Sequence, residues 1–435
     1  MLTNDNNAVM DTPMATEQHL TLHKYYPWLV IGLSALFLIF KYVLQVSPGI
    51  VSDQLMREFH VHGAGLGNLA AAFFYSYFIM QLFVGVLLDR YSTRYITALA
   101  IALCAIGTFM FATTSELWVA FLGRTFAGIG VAFATVSYMK MTAQWFKPNQ
   151  FAFVGGLLAT AAMIGAIFGE APLSMLVDEL GWRPSFFLCA SLGLILAIAF
   201  AVLVRERHVD SAAPAVVKHH FTKEDVFEVL KSKQNWLLTF FSGLAFTPIA
   251  VFGGLWGVPF LSIAYHLTTT KAATLVSCVF IGLAIGSPLL GLLSDRLGKR
   301  LPVMKWGTLI AFIALLPVLY WVTLPLWLIC ILLFVFGFGT SVFMLGFAIG
   351  KESNKYVLAA TVIAMINTGD GIFGSITEPG IGKLLDMRWS GTIINGVHHF
   401  GLNNYQHALT LLPIYLFVAL ILLLFVREAN AQHSH

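Results

Sequence analysis

The chain has 435 residues, of which 58% are hydrophobic and only 11% charged, with a net charge of +4. A soluble domain is nearer half apolar and a quarter charged, so this chain has too little polar surface to cover itself in water. A cytosolic enzyme and a nucleic-acid binder are excluded, while a dozen membrane spans of ~20 residues each fit the apolar count.

Residues 1–23 are polar, with acids at Asp5, Asp11 and Glu17. The first apolar stretch after them is too long for the core of a secretion signal, and no small-residue cleavage site follows it. It is expected to remain as a span. Twelve spans are predicted, at 27–48, 64–87, 95–114, 117–140, 151–172, 184–204, 236–261, 272–293, 303–322, 325–349, 357–382 and 408–426. The one long polar interruption, 205–234, holds Arg205, Arg207, Lys218, Lys223, Lys231 and Lys233, with a short surface helix expected at 222–231. The organisation expected is a tail (1–25), a six-helix half (26–204), a linker (205–234), a second six-helix half (235–427) and a short tail (428–435).

Basic residues orient the chain. With both termini in the cytoplasm, the cytoplasmic loops collect Lys24, Arg90, Arg94, Lys147, the linker cations, Arg296, Lys299, Arg300, Lys305, Lys351, Lys355 and Arg427. The opposite side keeps Arg57, Arg183, Lys271, Lys383 and Arg388. An inner-membrane protein with both ends inside follows. Cys104, Cys189, Cys278 and Cys330 each sit within an apolar run and read as small buried hydrophobes. The pairs His219/His220 and His398/His399 read as solvated loop residues. No metal site is expected.

The halves repeat each other. Gly85-Val-Leu-Leu-Asp89-Arg90 is echoed by Gly291-Leu-Leu-Ser-Asp295-Arg296, 206 positions later, and Ile167-Phe168-Gly169 by Ile372-Phe373-Gly374, 205 later. Parallel repeats of this kind are a transporter architecture.

These strings resemble the major facilitator superfamily. Its loop motif G-x-x-x-D-R-x-G-[RK]-[RK] is complete at Gly291, Asp295, Arg296, Gly298, Lys299 and Arg300. The first copy keeps Gly85, Asp89, Arg90 and Arg94 but has Ser92 and Thr93 where the family has glycine and a base. Arg124, Gly128 and Gly130 match a fourth-span motif. Gly156, Gly165 and Gly169 match a fifth-span motif in part, with Glu170 in place of the usual proline. Gly369, Gly371, Gly374, Gly380 and Gly382 suggest close helix packing in the eleventh span. The resemblance implies an all-α membrane protein of twelve transmembrane helices in two pseudo-symmetric halves, working by alternating access. It also implies that Gly85, Asp89, Arg90, Arg94, Gly291, Asp295, Arg296 and Arg300 form a cytoplasmic gate that favours the outward-open state. Within the superfamily, Lys41-Tyr-Val-Leu-Gln45-Val-Ser47-Pro48, Gly63-Ala-Gly-Leu-Gly67-Asn68 and the run from Phe151 to Pro172 resemble the phagosomal nutrient transporters of vacuole-dwelling bacteria. Members of that family import amino acids, nucleosides or related nutrients.

Ionisable residues at membrane depth mark function by default. Lys41 and Asp370 each lie about 13 residues, ~20 Å, into spans that run the same way. A substrate site of Lys41, Tyr42, Gln45, Trp256, Asn367 and Asp370 is expected, with the two charges on opposite walls of a central cavity. Proton-coupling candidates are Asp370, Glu170, Glu378 and Arg124, and Glu170 is a possible partner for the buried Arg124. Neither a phosphate-binding loop nor a catalytic constellation is present, so no enzyme activity and no cofactor beyond a proton gradient is expected. The partners expected are a small substrate, protons and the bilayer, with the chain a monomer and no nucleic acid bound. The function predicted is proton-coupled import of a small nutrient, an amino acid or organic carboxylate. The alternatives are import of a nucleoside, dipeptide or siderophore, and drug or metabolite export.

Overall fold

The computed structural model describes residues 13–205, 223–355, 358–394 and 397–428. Arg207, Lys218, His219 and His220 lie outside the described residues. Among the described residues the fold is all-helical apart from one antiparallel pair, Ile393–Ile394 with Val397–His398.

Six spans form each half. Spans 2, 3, 6, 8, 9 and 11 are single helices: Gly63–Arg90, Thr93–Thr113, Trp182–Leu203, Thr269–Leu297, Leu301–Tyr320 and Ala359–Met387. The other six are jointed. Span 1, Pro13–Val46, passes through a 3₁₀ turn at Ser47–Val51 into Ser52–Glu58. Span 4 joins Leu117–Val131 to Phe133–Trp145, and span 5 joins Pro148–Gly169 to Ala171–Leu180. Span 7 runs Lys233–Val251, a π turn at Phe252–Trp256, then Gly257–Ala264. Span 10 joins Leu326–Thr340 to Phe343–Glu352, and span 12 joins Leu402–Leu409 to Leu411–Leu422. The joints have local causes. Pro48 opens the 3₁₀ turn, Pro172 opens the second helix of span 5, and Pro248 lacks the N–H that would hold the turn before the π segment. Ten helical stretches among the described residues are long and apolar enough to cross a membrane, and spans 2 and 11 complete the twelve. In the linker, Lys223–Lys231 is helical, as the sequence suggests.

Large apolar side chains such as Phe83, Val86, Ile195, Trp306, Phe417 and Leu424 lie on the outside, where the bilayer covers them. Inside are two cores. One belongs to the first half and contains Phe37, Phe73, Tyr138 and Phe200. The other fills the second half and takes in Val46, Ile50, Leu66, Leu173 and Phe186 from the first. All five lie toward the ends away from the basic loops. The two halves therefore share one apolar core at that far face.

Two expectations change. Cys278 and Cys330 are bonded to each other across spans 8 and 10, with Cα atoms 5.9 Å apart, whereas Cys104 and Cys189 are free. Both pair members sit in the far-face turns of adjacent helices, a proximity that apolar runs read singly do not reveal. Among the span 11 glycines, Gly369 and Gly382 press on backbone, while Gly374 and Gly380 face open space.

Candidate functional site

Lys41 is 4% exposed. Its ammonium lies 3.4 Å from the Tyr77 hydroxyl and over two ring faces, Tyr77 at 4.5 Å and Tyr42 at 5.0 Å. Among the described residues no carboxylate is within ion-pairing distance of it. Tyr77 also lies beside Asn367 and Asp370, both on span 11. Asp370 is buried and accepts a hydrogen bond of 2.7 Å from Ser242 on span 7. Lys41 and Asp370 therefore belong to one polar chain, Lys41–Tyr77–Asn367/Asp370–Ser242, linking the two halves. Tyr77, not open space, stands between the charges.

The sequence reading singles out neither Ser242 nor, as a leading choice, Tyr77. A neutral hydroxyl in an apolar helix carries no charge signal, and membrane tyrosines are common in interfacial belts. Of the other expected members, Tyr42 and Gln45 are half-buried on span 1. The Tyr42 stem packs beside Gly165, and the Gln45 carbonyl approaches Gly254. Trp256 is fully buried, and its indole donates to the Glu378 carbonyl at 3.1 Å. It ties span 7 to span 11 and belongs to the core.

A second polar group lies toward the far face. Arg124 donates to the carbonyls of Leu44 (2.9 Å) and Ala70 (3.4 Å) and stacks 4.8 Å from the Phe73 ring. Its charge attracts Glu378, across the two halves. The Arg124–Glu170 pairing is not formed. Both carboxyl oxygens of fully buried Glu170 lack a partner among the described residues, as does one oxygen of Glu378. Glu170 sits at the joint of span 5, two residues before Pro172.

The loop motifs stay within their own halves. Arg300 pairs with Glu352 at 2.6 Å and with Asp295 at 3.1 Å, and Glu428 receives the amides of Arg300 and Leu301 at 2.5 and 3.0 Å. Arg94 donates to the carbonyl of Ala201. Arg90 and Arg296 are exposed; Gly85 has open space beside it, as has Gly291. Asp89 ends span 2, with its side chain outside the described residues. The contact between halves that the motifs imply is absent among the described residues. The helix start that receives a carboxylate at this face, span 9, takes Glu428 of its own half. The hydrogen bonds Gly63/Ala64–Asp386, Tyr75–Ser375 and Ser174/Asp178–Thr270 join the halves at mid-depth or beyond, toward the far face. There, a Cβ at Gly49 would meet the Gly254 carbonyl at 3.2 Å, and one at Gly67 would meet the Glu378 carbonyl at 2.6 Å. The two halves are closed on each other at the far face.

The chain is 27% identical to an uncharacterized transporter, YybO of Bacillus subtilis, over 40% of each chain. It is 21% identical to GudP of the same species, named as a probable galactarate/D-glucarate transporter, over 81% of this chain and 84% of that one. Among solved structures it is similar to a bacterial homolog of the human lysosomal transporter Spinster in an inward-facing, unoccupied conformation. The TM-score is 0.79 at 15% identity, covering 92% of this chain and 97% of the other. The family model of the Major Facilitator Superfamily matches residues 29–257 and again 236–434. This match spans nearly all of both six-helix halves, and the chain therefore belongs to the major facilitator superfamily of secondary transporters, which are not enzymes.

Proposed function

We propose that this transporter imports a small organic carboxylate across a bacterial inner membrane, coupled to protons, with both termini and the basic loops in the cytoplasm. The observation that carries this reading is Lys41. A cation at mid-span costs roughly 2.5–3.5 kcal/mol, and here its ammonium meets the Tyr77 hydroxyl and the Tyr42 and Tyr77 rings, with no carboxylate in ion-pairing distance among the described residues. A substrate carboxylate supplies the missing partner. The likeness to a protein named for galactarate and glucarate transport supports an acid. On this reading the expected residue ranges of tails, halves and linker hold, no cofactor is needed and a monomer suffices. The likeness to phagosomal nutrient transporters in the first half fits an importer of scavenged nutrients.

Asp370 favours a second reading. It lies on the same polar chain as Lys41, so an amino acid would present its ammonium to Asp370 and its carboxylate to Lys41. The test is uptake of labelled sugar acids, aromatic acids and amino acids into vesicles under an imposed inward proton gradient. Accumulation that a protonophore abolishes supports coupling. Asp370→Asn is expected to lose gradient-driven accumulation while retaining exchange. Uptake indifferent to both treatments defeats the proton-coupled reading.

A further inference from the structure

We propose that Asp386 and Asp178 are a symmetric pair of latches that hold the far face shut. The Asp386 carboxylate, at the end of span 11, accepts hydrogen bonds from the backbone amides of Gly63 (2.9 Å) and Ala64 (2.7 Å). These are the first two residues of span 2, in the other half. The opening amides of a helix have no partner within it and carry partial positive charge, so a carboxylate placed there makes two charge-assisted bonds.

The contact requires an unusually close approach. A Cβ on Gly382 would come within 2.1 Å of the Gly63 carbonyl, so both positions are open to glycine alone. The carboxylate reaches its amides only when the starts and ends of spans 2 and 11 meet, and it therefore binds one conformation and not the other. That difference is what shifts a two-state equilibrium.

The duplication places a counterpart on the opposite side of the pseudo-axis. Leu176-Val177-Asp178 ends span 5 as Leu384-Leu385-Asp386 ends span 11, 208 positions later, close to the offset of the other repeats. Asp178 accepts from the hydroxyl of Thr270, which also bonds Ser174 at 3.0 Å. Thr270 is the second residue of span 8, again in the other half. One carboxylate at the end of span 5 meets the start of span 8, and its repeat at the end of span 11 meets the start of span 2. At the basic face in the same conformation, the described Asp295 pairs with Arg300 of its own half. The latch does not depend on the identity of the substrate.

Spin-label distances in purified protein test this without any transport assay. One pair of labels replaces Glu116 and Trp327, exposed at the far-face starts of spans 4 and 10. The other replaces Tyr91 and Leu297, exposed at the basic face. Asp386→Asn is expected to lengthen the first distance and shorten the second, with at least a tenfold shift in the closed-to-open ratio. Asp178→Asn should act in the same direction, and the double variant more strongly. Asp386→Glu keeps a carboxylate at the helix start and should retain the parent distributions. Unchanged distances in the double variant, or equal shifts for Asn and Glu at 386, overturn the proposal.

Discussion

The Tyr77 hydroxyl lies 3.4 Å from the Lys41 ammonium, and the same hydroxyl reaches Asn367 in the opposite half of the molecule. A phenol oxygen has two lone pairs, so it can accept from the lysine and from the Asn367 amide across the bundle at once. Lys41 is thus joined through Tyr77 to the opposite half, while its hydrogen bond and ring contacts are with Tyr42 and Tyr77 of its own half.

Replacing Lys41 should reveal what it recognises. A hydrogen bond to a charged group contributes about 1.5–3 kcal/mol, so Lys41→Ala is expected to weaken carboxylate binding by roughly ten- to a hundredfold. Lys41→Arg should rescue poorly, because a planar guanidinium does not fit a place shaped for a compact ammonium between two rings. Calorimetric binding of the substrate and of its amide analogue is the check. Equal loss for both ligands would make the lysine structural.

Tyr77→Phe keeps both cation–ring contacts and removes only the hydroxyl bridge. Binding is expected to fall less than for Lys41→Ala, while the exchange rate falls several-fold because substrate occupancy is no longer relayed to Asn367. Counterflow and equilibrium binding measured on the same preparation separate the two effects. A binding loss as large as that of Lys41→Ala, with turnover intact, would contradict the relay.

The twelve spans were legible because each is a sustained apolar run, and Lys41, Asp370 and Arg124 because a charge inside such a run is conspicuous. Ser242 and the bridging role of Tyr77 were not, since neutral hydroxyls carry no such contrast. The far-face latch was hidden for another reason. Asp386 lies at a helix end where polar residues are ordinary, and the amides it binds are 323 residues away in sequence. The gate motifs show the limit of a resemblance: the string names the loop, but not which conformation closes it.

Two glycines on span 11 allow a steric test of closure. Gly382→Ala would drive a Cβ into the Gly63 carbonyl at 2.1 Å, whereas Gly380 has nothing within 4 Å. Helix propensity favours alanine equally at both positions, by about 1 kcal/mol. Gly380→Ala is therefore expected to leave the far-face distance unchanged or slightly stabilise the fold, and Gly382→Ala to lengthen that distance. Identical behaviour of the two variants would show that the crossing is looser than the backbone contacts indicate.

The far face should also respond to acid through His398. Its ring is stacked between His62 at 3.5 Å and Trp389 at 3.6 Å, nearly parallel to both, and its Nδ1 lies 3.8 Å from Asp386. This is no solvated loop histidine. Burial, followed by the neighbouring His62, holds it below its ordinary value of 6.5, with Asp386 pulling weakly the other way. The closed face therefore prefers the neutral ring. When the halves part, His62 leaves and the ring regains its ordinary affinity for protons. The contribution of His398 to closure is fully present above its ordinary value and is lost as the pH falls through the lowered one, because the open form binds the proton more tightly. Acidification from pH 7.5 to 5 is expected to shift the far-face distance distribution toward the open form. His398→Phe preserves a flat ring in the stack and should abolish most of that shift. A pH response of the same size in His398→Phe would assign the sensing to another group.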